Sequence, residues 1–207
     1  MEKWSSESIY TISAWILQLL SYPLCRWYFF RLKKWRINGG SHCSEVAKPL
    51  IIAAAPHLSH FDVVVVPAAV PPSLLPVRWL ADEKIFTGRA KSVWLRLWGA
   101  IPIKRDPQGS FEDRDIDGIL RFVLRKKKSV GLFPECCLVG GRFNHYHRDI
   151  IASALEQNIS VLPVAISNDL NLNMKRPVTD GVTTENMSVS IGKPLLTATD
   201  LLDALAS

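Results

Sequence analysis

The chain has 207 residues, of which 48% are hydrophobic, so it is long enough to form one domain with a sizeable core. Its formal net charge is +6, and basic residues cluster beside tryptophan and phenylalanine near the amino terminus. Anionic lipid accounts for both the charge and the aromatic residues, so the composition favours a membrane-surface protein over one that binds nucleic acid.

Residues 1–36 are predicted to form a membrane-anchoring helical segment, and residues 37–207 the globular domain. No side chain from residue 8 to residue 25 is charged, and the apolar residues recur at roughly helical spacing until Pro23 interrupts them. A membrane span needs about 20 apolar residues, whereas this run includes the polar residues Ser13, Gln18 and Ser21. The pattern favours a kinked pair of helices dipping into one leaflet, with a full span as the alternative. The basic residues that follow place the remaining chain on the cytoplasmic side of the membrane.

A short strand, a turn and a helix are predicted around residues 50–62. Leu50 to Ala55 is an uninterrupted apolar run, typical of a buried strand, and Pro56 ends it. With His57 in the turn and Asp62 in the first helical turn, the carboxylate can fold back onto the imidazole ring. A carboxylate on one ring nitrogen fixes the tautomer and leaves the other nitrogen free to take a proton from a hydroxyl. The alternative is a turn-capping aspartate beside a surface histidine.

Two further segments place polar residues at strand ends. Residues 101–103 are predicted to form a short strand that ends in Lys104 and Arg105. Two cations there suit a phosphate or a developing oxyanion, although ordinary surface residues are the alternative. Residues 129–133 form another apolar strand, and Glu135 follows it at a position where sites of open α/β sheets tend to form.

The rest of the chain alternates helix and strand signals. This alternation predicts a single α/β sandwich with a mostly parallel central sheet flanked by helices. His145 and His147 are predicted to lie in a solvated loop; a metal site is the alternative, but further ligands are missing from the sequence nearby. Residues 167–185 are predicted to form a mobile loop over the site. Helices are predicted over 110–128, 149–157 and 200–206, and strands over 159–166 and 187–191.

Four blocks, in order, resemble the glycerolipid (lysophospholipid) acyltransferase superfamily, whose best-known members are the 1-acylglycerol-3-phosphate acyltransferases. The resemblance runs from about Arg36 to Pro194 and implies the same α/β fold. The blocks are His57 to Asp62, Gly99 to Arg105, Leu132 to Glu135 and Val161 to Val164.

The resemblance also implies a reaction and the residues that serve it. His57 would deprotonate an acceptor hydroxyl, which attacks the thioester of acyl-CoA or acyl-carrier protein, and Asp62 would orient the histidine. Lys104 and Arg105 match the basic block, and Glu135 matches the acidic residue of the third block. The implied protein is a membrane-associated enzyme of phospholipid biosynthesis whose partners are membrane lipid and the acyl donor, with no metal or other cofactor.

The chain departs from this family at two places. Pro56 stands where the family usually has asparagine, and residues 136–138 read Cys-Cys-Leu where Gly-Thr-Arg is usual. Arg142 matches an arginine that some lysophospholipid acyltransferases carry a few residues later, so it joins the candidate phosphate-binding residues. Three alternatives follow: a catalytically impaired lipid-binding relative, an acyltransferase for an acceptor without phosphate, and a thiol-dependent hydrolase using one of the two cysteines. Nothing in the cysteine spacing requires zinc or disulfides.

Overall fold

The computed structural model describes residues 2–55, 61–104, 113–133, 145–168 and 187–197. Its helices are α1 (Glu2–Arg26), α2 (Asp62–Ala69), α3 (Arg89–Leu97), α4 (Asp113–Lys126) and α5 (His145–Glu156), with a π-helix at Trp27–Leu32. Its strands are β1 (Arg36–Asn38), β2 (Leu50–Ala55), β3 (Val77–Asp82), β4 (Ala100–Ile103), β5 (Ser129–Leu132), β6 (Ser160–Asn168) and β7 (Met187–Ile191).

The described strands form one seven-stranded sheet in the order β1-β7-β6-β2-β5-β3-β4. Strands β2 to β6 all run in the same direction. Strand β7 pairs antiparallel with β6, and β1 pairs parallel with β7, so these two strands run the opposite way. The prediction of a mixed α/β fold with a mostly parallel sheet is confirmed.

Strand β2 lies at the centre of the sheet, between β5 and β6, which explains its continuous apolar run. Leu50, Ile52 and Ala54 belong to a hydrophobic cluster shared with α2 on one face of the sheet. Ile51 belongs to a second cluster, shared with α4 and α5 on the other face. The core therefore consists of two apolar layers, one on each side of the sheet.

Most of the predicted elements are present, with shifted boundaries. Helix α5 begins at His145 instead of residue 149, so the prediction that His145 and His147 lie in a loop is wrong. Strand β6 continues to Asn168, which places residues 167–168 in the sheet and not in a loop. The remainder of the predicted loop and the predicted terminal helix at 200–206 lie outside the described residues.

Helix α1 continues through Pro23, where the sequence predicted a break. A proline removes one backbone donor, and here the α-helix still reaches Arg26 before the backbone changes to the π-helix. Helix α1 packs against α2, α3 and β3. Among the described residues, none of the helices combines the length and apolar composition that crossing a bilayer requires.

The two faces of α1 have an unusual distribution of polar and apolar side chains. Thr11, Ala14 and Gln18 are buried against the domain. The opposite face carries large apolar side chains that are between 44% and 72% exposed. We call this face the α1 stripe; its members are Ile12, Trp15, Ile16, Leu20 and Leu24.

Hydrogen bonds fix the polar face of α1 to the amino ends of β3 and β4. The Gln18 side-chain oxygen accepts from the Val77 backbone N–H at 2.9 Å, and its Nε2 donates to the Val77 carbonyl, also at 2.9 Å. The side-chain amide thereby takes the place of a neighbouring strand. Beside it, the fully buried Arg78 donates from Nε to the Gly99 carbonyl at 2.9 Å and from Nη1 to the Thr11 hydroxyl.

Candidate active site

The carboxyl ends of β2 to β6 lie at one edge of the sheet because these strands are parallel. Sites of α/β proteins form at such an edge. Of the six predicted site residues, the structure describes Asp62 and Lys104. The other four follow β2, β4 and β5 in the chain and lie outside the described residues; they are His57, Arg105, Glu135 and Arg142. The roles of all six stay predictions.

Asp62 is the first residue of α2 and is fully buried. The positive end of the helix dipole favours a carboxylate at this position. A carboxylate removed from water is retained only where a partner compensates for the lost hydration. The surroundings of Asp62 therefore suit a defined interaction with another side chain better than a solvated surface role.

Trp79, on β3, connects the start of α2 to the end of β5. Its indole N–H donates to the Val63 carbonyl at 3.0 Å, one residue after Asp62. Its ring stacks on Phe133 with centroids 4.5 Å apart and planes 11° from parallel. Phe133 directly precedes Pro134 and Glu135, so one side chain links the segments that carry two of the predicted site blocks.

Gly131 allows the Trp79 ring to take this position. A Cβ atom at Gly131 would lie 2.6 Å from the nearest ring atom, well inside van der Waals contact. Sequence reasoning did not identify either residue as part of the site. A glycine inside an apolar strand signals the close approach of another group, but it does not reveal which group approaches.

Lys104 is exposed and directly follows β4, an edge strand of the sheet. Strands β5 and β3 separate β4 from β2, so three strand spacings, about 14 Å in total, lie between the ends of β2 and β4. A ligand that contacts residues beyond both strand ends must be extended across the ends of β5 and β3. Because lysine and arginine side chains are long, they can reach towards β2, and the ligand then has to span less than the full distance between the two strand ends.

Among the described residues there is neither a reactive thiol nor a group of side chains that could hold a metal ion. Burial raises the pKa of Cys25, with a smaller opposing effect from a hydrogen bond with Ser21, and burial also raises the pKa of Cys43. Both residues are therefore neutral thiols at pH 7 and poor nucleophiles. No group of three metal-ligating side chains occurs among the described residues. The adjacent cysteines 136 and 137 lie outside them.

Comparison with known proteins identifies the class to which this fold and strand edge belong. The chain belongs to the Acyltransferase family, whose family model matches residues 37–167. It is similar in fold to the crystal structure of the 1-acyl-sn-glycerophosphate (LPA) acyltransferase PlsC from Thermotoga maritima, with a TM-score of 0.57. That match has 14% sequence identity and covers 91% of this chain and 76% of the other. No curated protein sequence matches the chain.

Proposed function

We propose that the chain is a membrane-associated O-acyltransferase that moves a fatty acyl group from acyl-CoA or acyl-carrier protein to a lysophospholipid hydroxyl. The proposed acceptors are lysophospholipids such as 1-acylglycerol-3-phosphate. The observation that carries the proposal is the buried Asp62 at the start of α2, five residues after His57 in a chain of the Acyltransferase family.

In the proposed mechanism, the Asp62 carboxylate accepts a hydrogen bond from one ring nitrogen of His57. The other ring nitrogen removes the proton from the acceptor hydroxyl, whose oxygen attacks the thioester carbonyl carbon. The carbon–sulfur bond then breaks, the ester forms, and the departing thiolate takes the proton from the imidazolium. A buried carboxylate suits this task because it fixes the histidine tautomer and stabilises the transient positive charge.

The acceptor phosphate is assigned to the cations at and beyond the end of β4. Lys104 is exposed there, and Arg105 follows it in the chain. Arg142 is the third candidate because residues 136–138 lack the arginine usual in the family. Glu135, after β5, is assigned to substrate binding between the base and these cations.

The α1 stripe supports association with a membrane. It forms a contiguous apolar surface on a helix whose polar face already has partners in the domain. Exposed apolar surfaces of this kind mark contacts with lipid or with another protein. Exposed aromatic residues and four cations follow in the chain, which favours lipid of negative charge; they are Trp27, Tyr28, Arg31, Lys33, Lys34 and Arg36. The catalytic domain is assigned to the cytoplasmic side.

The direct test is an acyl-transfer assay with the purified full-length chain. Acyl-CoA and acyl-carrier protein are supplied in turn with lysophosphatidic acid, zwitterionic lysophospholipids and uncharged lyso-lipids. Ester formation on a phosphorylated acceptor supports the proposal. A preference for the uncharged acceptors would favour the alternative without a phosphate site. The absence of transfer to every acceptor from either donor would favour the lipid-binding alternative.

A further inference from the structure

A cleft of about 290 Å³ lies at the amino edge of the sheet, opposite the candidate active site. Lys48 precedes β2, Leu75 and Pro76 precede β3, and Lys128 precedes β5. Six residues of β2 span about 20 Å from this edge to the other. The cleft is therefore separate from the place where acyl transfer would occur, and its volume approaches the roughly 300 Å³ at which small-ligand sites begin.

Two of the described residues that line the cleft are cations, Lys48 and Lys128. Lys48 is half-buried and donates one hydrogen bond to the Leu75 carbonyl, whereas an ammonium group has three donors. Burial lowers the pKa of Lys48 below its ordinary value, and the positive charge of Lys128 lowers it further. An anion bound between the two lysines would raise the pKa of Lys48 again. It would replace the hydration that the ammonium group loses on burial, and it would offset the repulsion between the two positive charges.

Helix α1 contributes Thr11, Ile12 and Trp15 to the wall of the cleft. Ile12 and Trp15 are members of the α1 stripe, so this wall is mainly apolar. A ligand in the cleft would thus have its charge beside two lysines and its apolar part beside a surface that continues along α1. A tryptophan next to lysines is the usual arrangement at a membrane–water interface, where lysine binds lipid phosphate.

We propose that this cleft binds the phosphate headgroup of an anionic membrane phospholipid, at a site separate from the acyl-transfer site. The proposal rests on the membrane association included in the proposed function, but it does not depend on catalysis. A bound headgroup would hold the α1 stripe against the bilayer in one orientation.

The test measures binding of the full-length chain to phosphatidylcholine vesicles with and without phosphatidylglycerol. Lys128→Gln is expected to weaken binding to the anionic vesicles about five-fold, the value of one lysine at a charged membrane, and to leave binding to pure phosphatidylcholine unchanged. Lys127→Gln is the matched control, because Lys127 is adjacent, exposed and equal in charge but does not line the cleft. It should weaken binding clearly less than Lys128→Gln does, because it removes the same surface charge but no contact in the cleft.

A second variant, Lys48→Gln, should weaken binding in the same way. Its thermal unfolding is measured in parallel because Lys48 also bonds to the Leu75 carbonyl. Equal losses for Lys127→Gln and Lys128→Gln would overturn the proposal, as would no loss for Lys128→Gln. Displacement by inorganic phosphate, but not by chloride of the same ionic strength, would assign the cleft to a soluble phosphate and overturn the lipid assignment.

The vesicle experiment uses no acyl donor, so its result is independent of enzymatic activity. A chain that binds anionic vesicles as expected but transfers no acyl group would contradict the proposed function alone. A chain that transfers acyl groups in detergent but shows no dependence on Lys128 would contradict the headgroup site alone.

Discussion

The two edges of the sheet use polar residues in different ways. At the carboxyl edge, the predicted site residues follow the strands β2, β4 and β5, and each is recognisable from a short segment of sequence. At the amino edge, the polar contacts join residues far apart in the chain, such as Gln18 with Val77 and Thr11 with Arg78. The comparison teaches that the proposed chemistry is encoded locally, whereas the attachment of α1 is encoded by pairs that only the fold brings together.

The largest difference between the two edges is expected when the proposed base at the carboxyl edge, His57, is replaced. His57→Ala should lower kcat/KM by about 10²- to 10⁴-fold, the usual contribution of a general base. Asp62→Asn should also be severe, because the histidine loses the charge that orients it. Steady-state kinetics measure both effects, and vesicle binding and thermal unfolding serve as controls. Near-wild-type activity of His57→Ala would rule out the proposed mechanism. A mild effect of Asp62→Asn would show that the carboxylate serves only as a helix cap.

At the amino edge, Arg78→Met should lower the free energy of unfolding by about 3 kcal/mol. The change removes the two buried hydrogen bonds that the guanidinium donates to the Gly99 carbonyl and the Thr11 hydroxyl, and a hydrogen bond to a charged group contributes roughly 1.5–3 kcal/mol. Arg121→Met is the control, because Arg121 is exposed and its 3.5 Å contact with Asp117 is a surface ion pair. Urea unfolding followed by circular dichroism measures the difference. Equal effects for the two arginines would show that Arg78 contributes no more than a surface residue.

The phosphate assignment at the carboxyl edge predicts a smaller effect. Arg105→Ala should raise the KM for a phosphorylated acceptor about ten-fold, since one charge-assisted hydrogen bond contributes roughly 1.5–3 kcal/mol. The KM for the acyl donor should change little. Lys84→Ala is the control, because Lys84 is exposed just beyond the end of β3 at the same edge. If both variants raise the acceptor KM equally, general positive charge and not a phosphate site explains the result.

The smallest effect is expected on the outward face of α1. Leu20→Gln should weaken binding to phosphatidylcholine vesicles about five-fold, roughly half of the transfer free energy of a leucine, because Leu20 is 72% exposed on the α1 stripe. Leu196→Gln, at an exposed leucine outside α1, should have no effect. High salt should not release the wild-type chain, because salt screens charge but not apolar burial. Full release by salt would show that the stripe does not insert into lipid.

Local sequence patterns predicted a large part of the fold. The sequence predicted β2 and β5 from their apolar runs and α4 from its helical spacing. These patterns are clear because each element buries a continuous apolar surface. Strand β3 was missed, since the buried Arg78, its second residue, interrupts the apolar pattern. For the candidate site, the position of Asp62 at the start of α2 could be predicted. The link that Trp79 makes between α2 and β5 could not, because it depends on a contact between distant segments.

The bond between Gln18 and Val77 has a consequence for the timing of synthesis. The two residues are 59 positions apart, so at about 5–20 residues per second the ribosome needs roughly 3 to 12 s to make the second after the first. During most of that interval the polar face of α1 has no strand to bind, although the α1 stripe, whose last member is Leu24, has already been made. Under the proposed membrane association, α1 is therefore available to lipid before the strand that holds its polar face has been made.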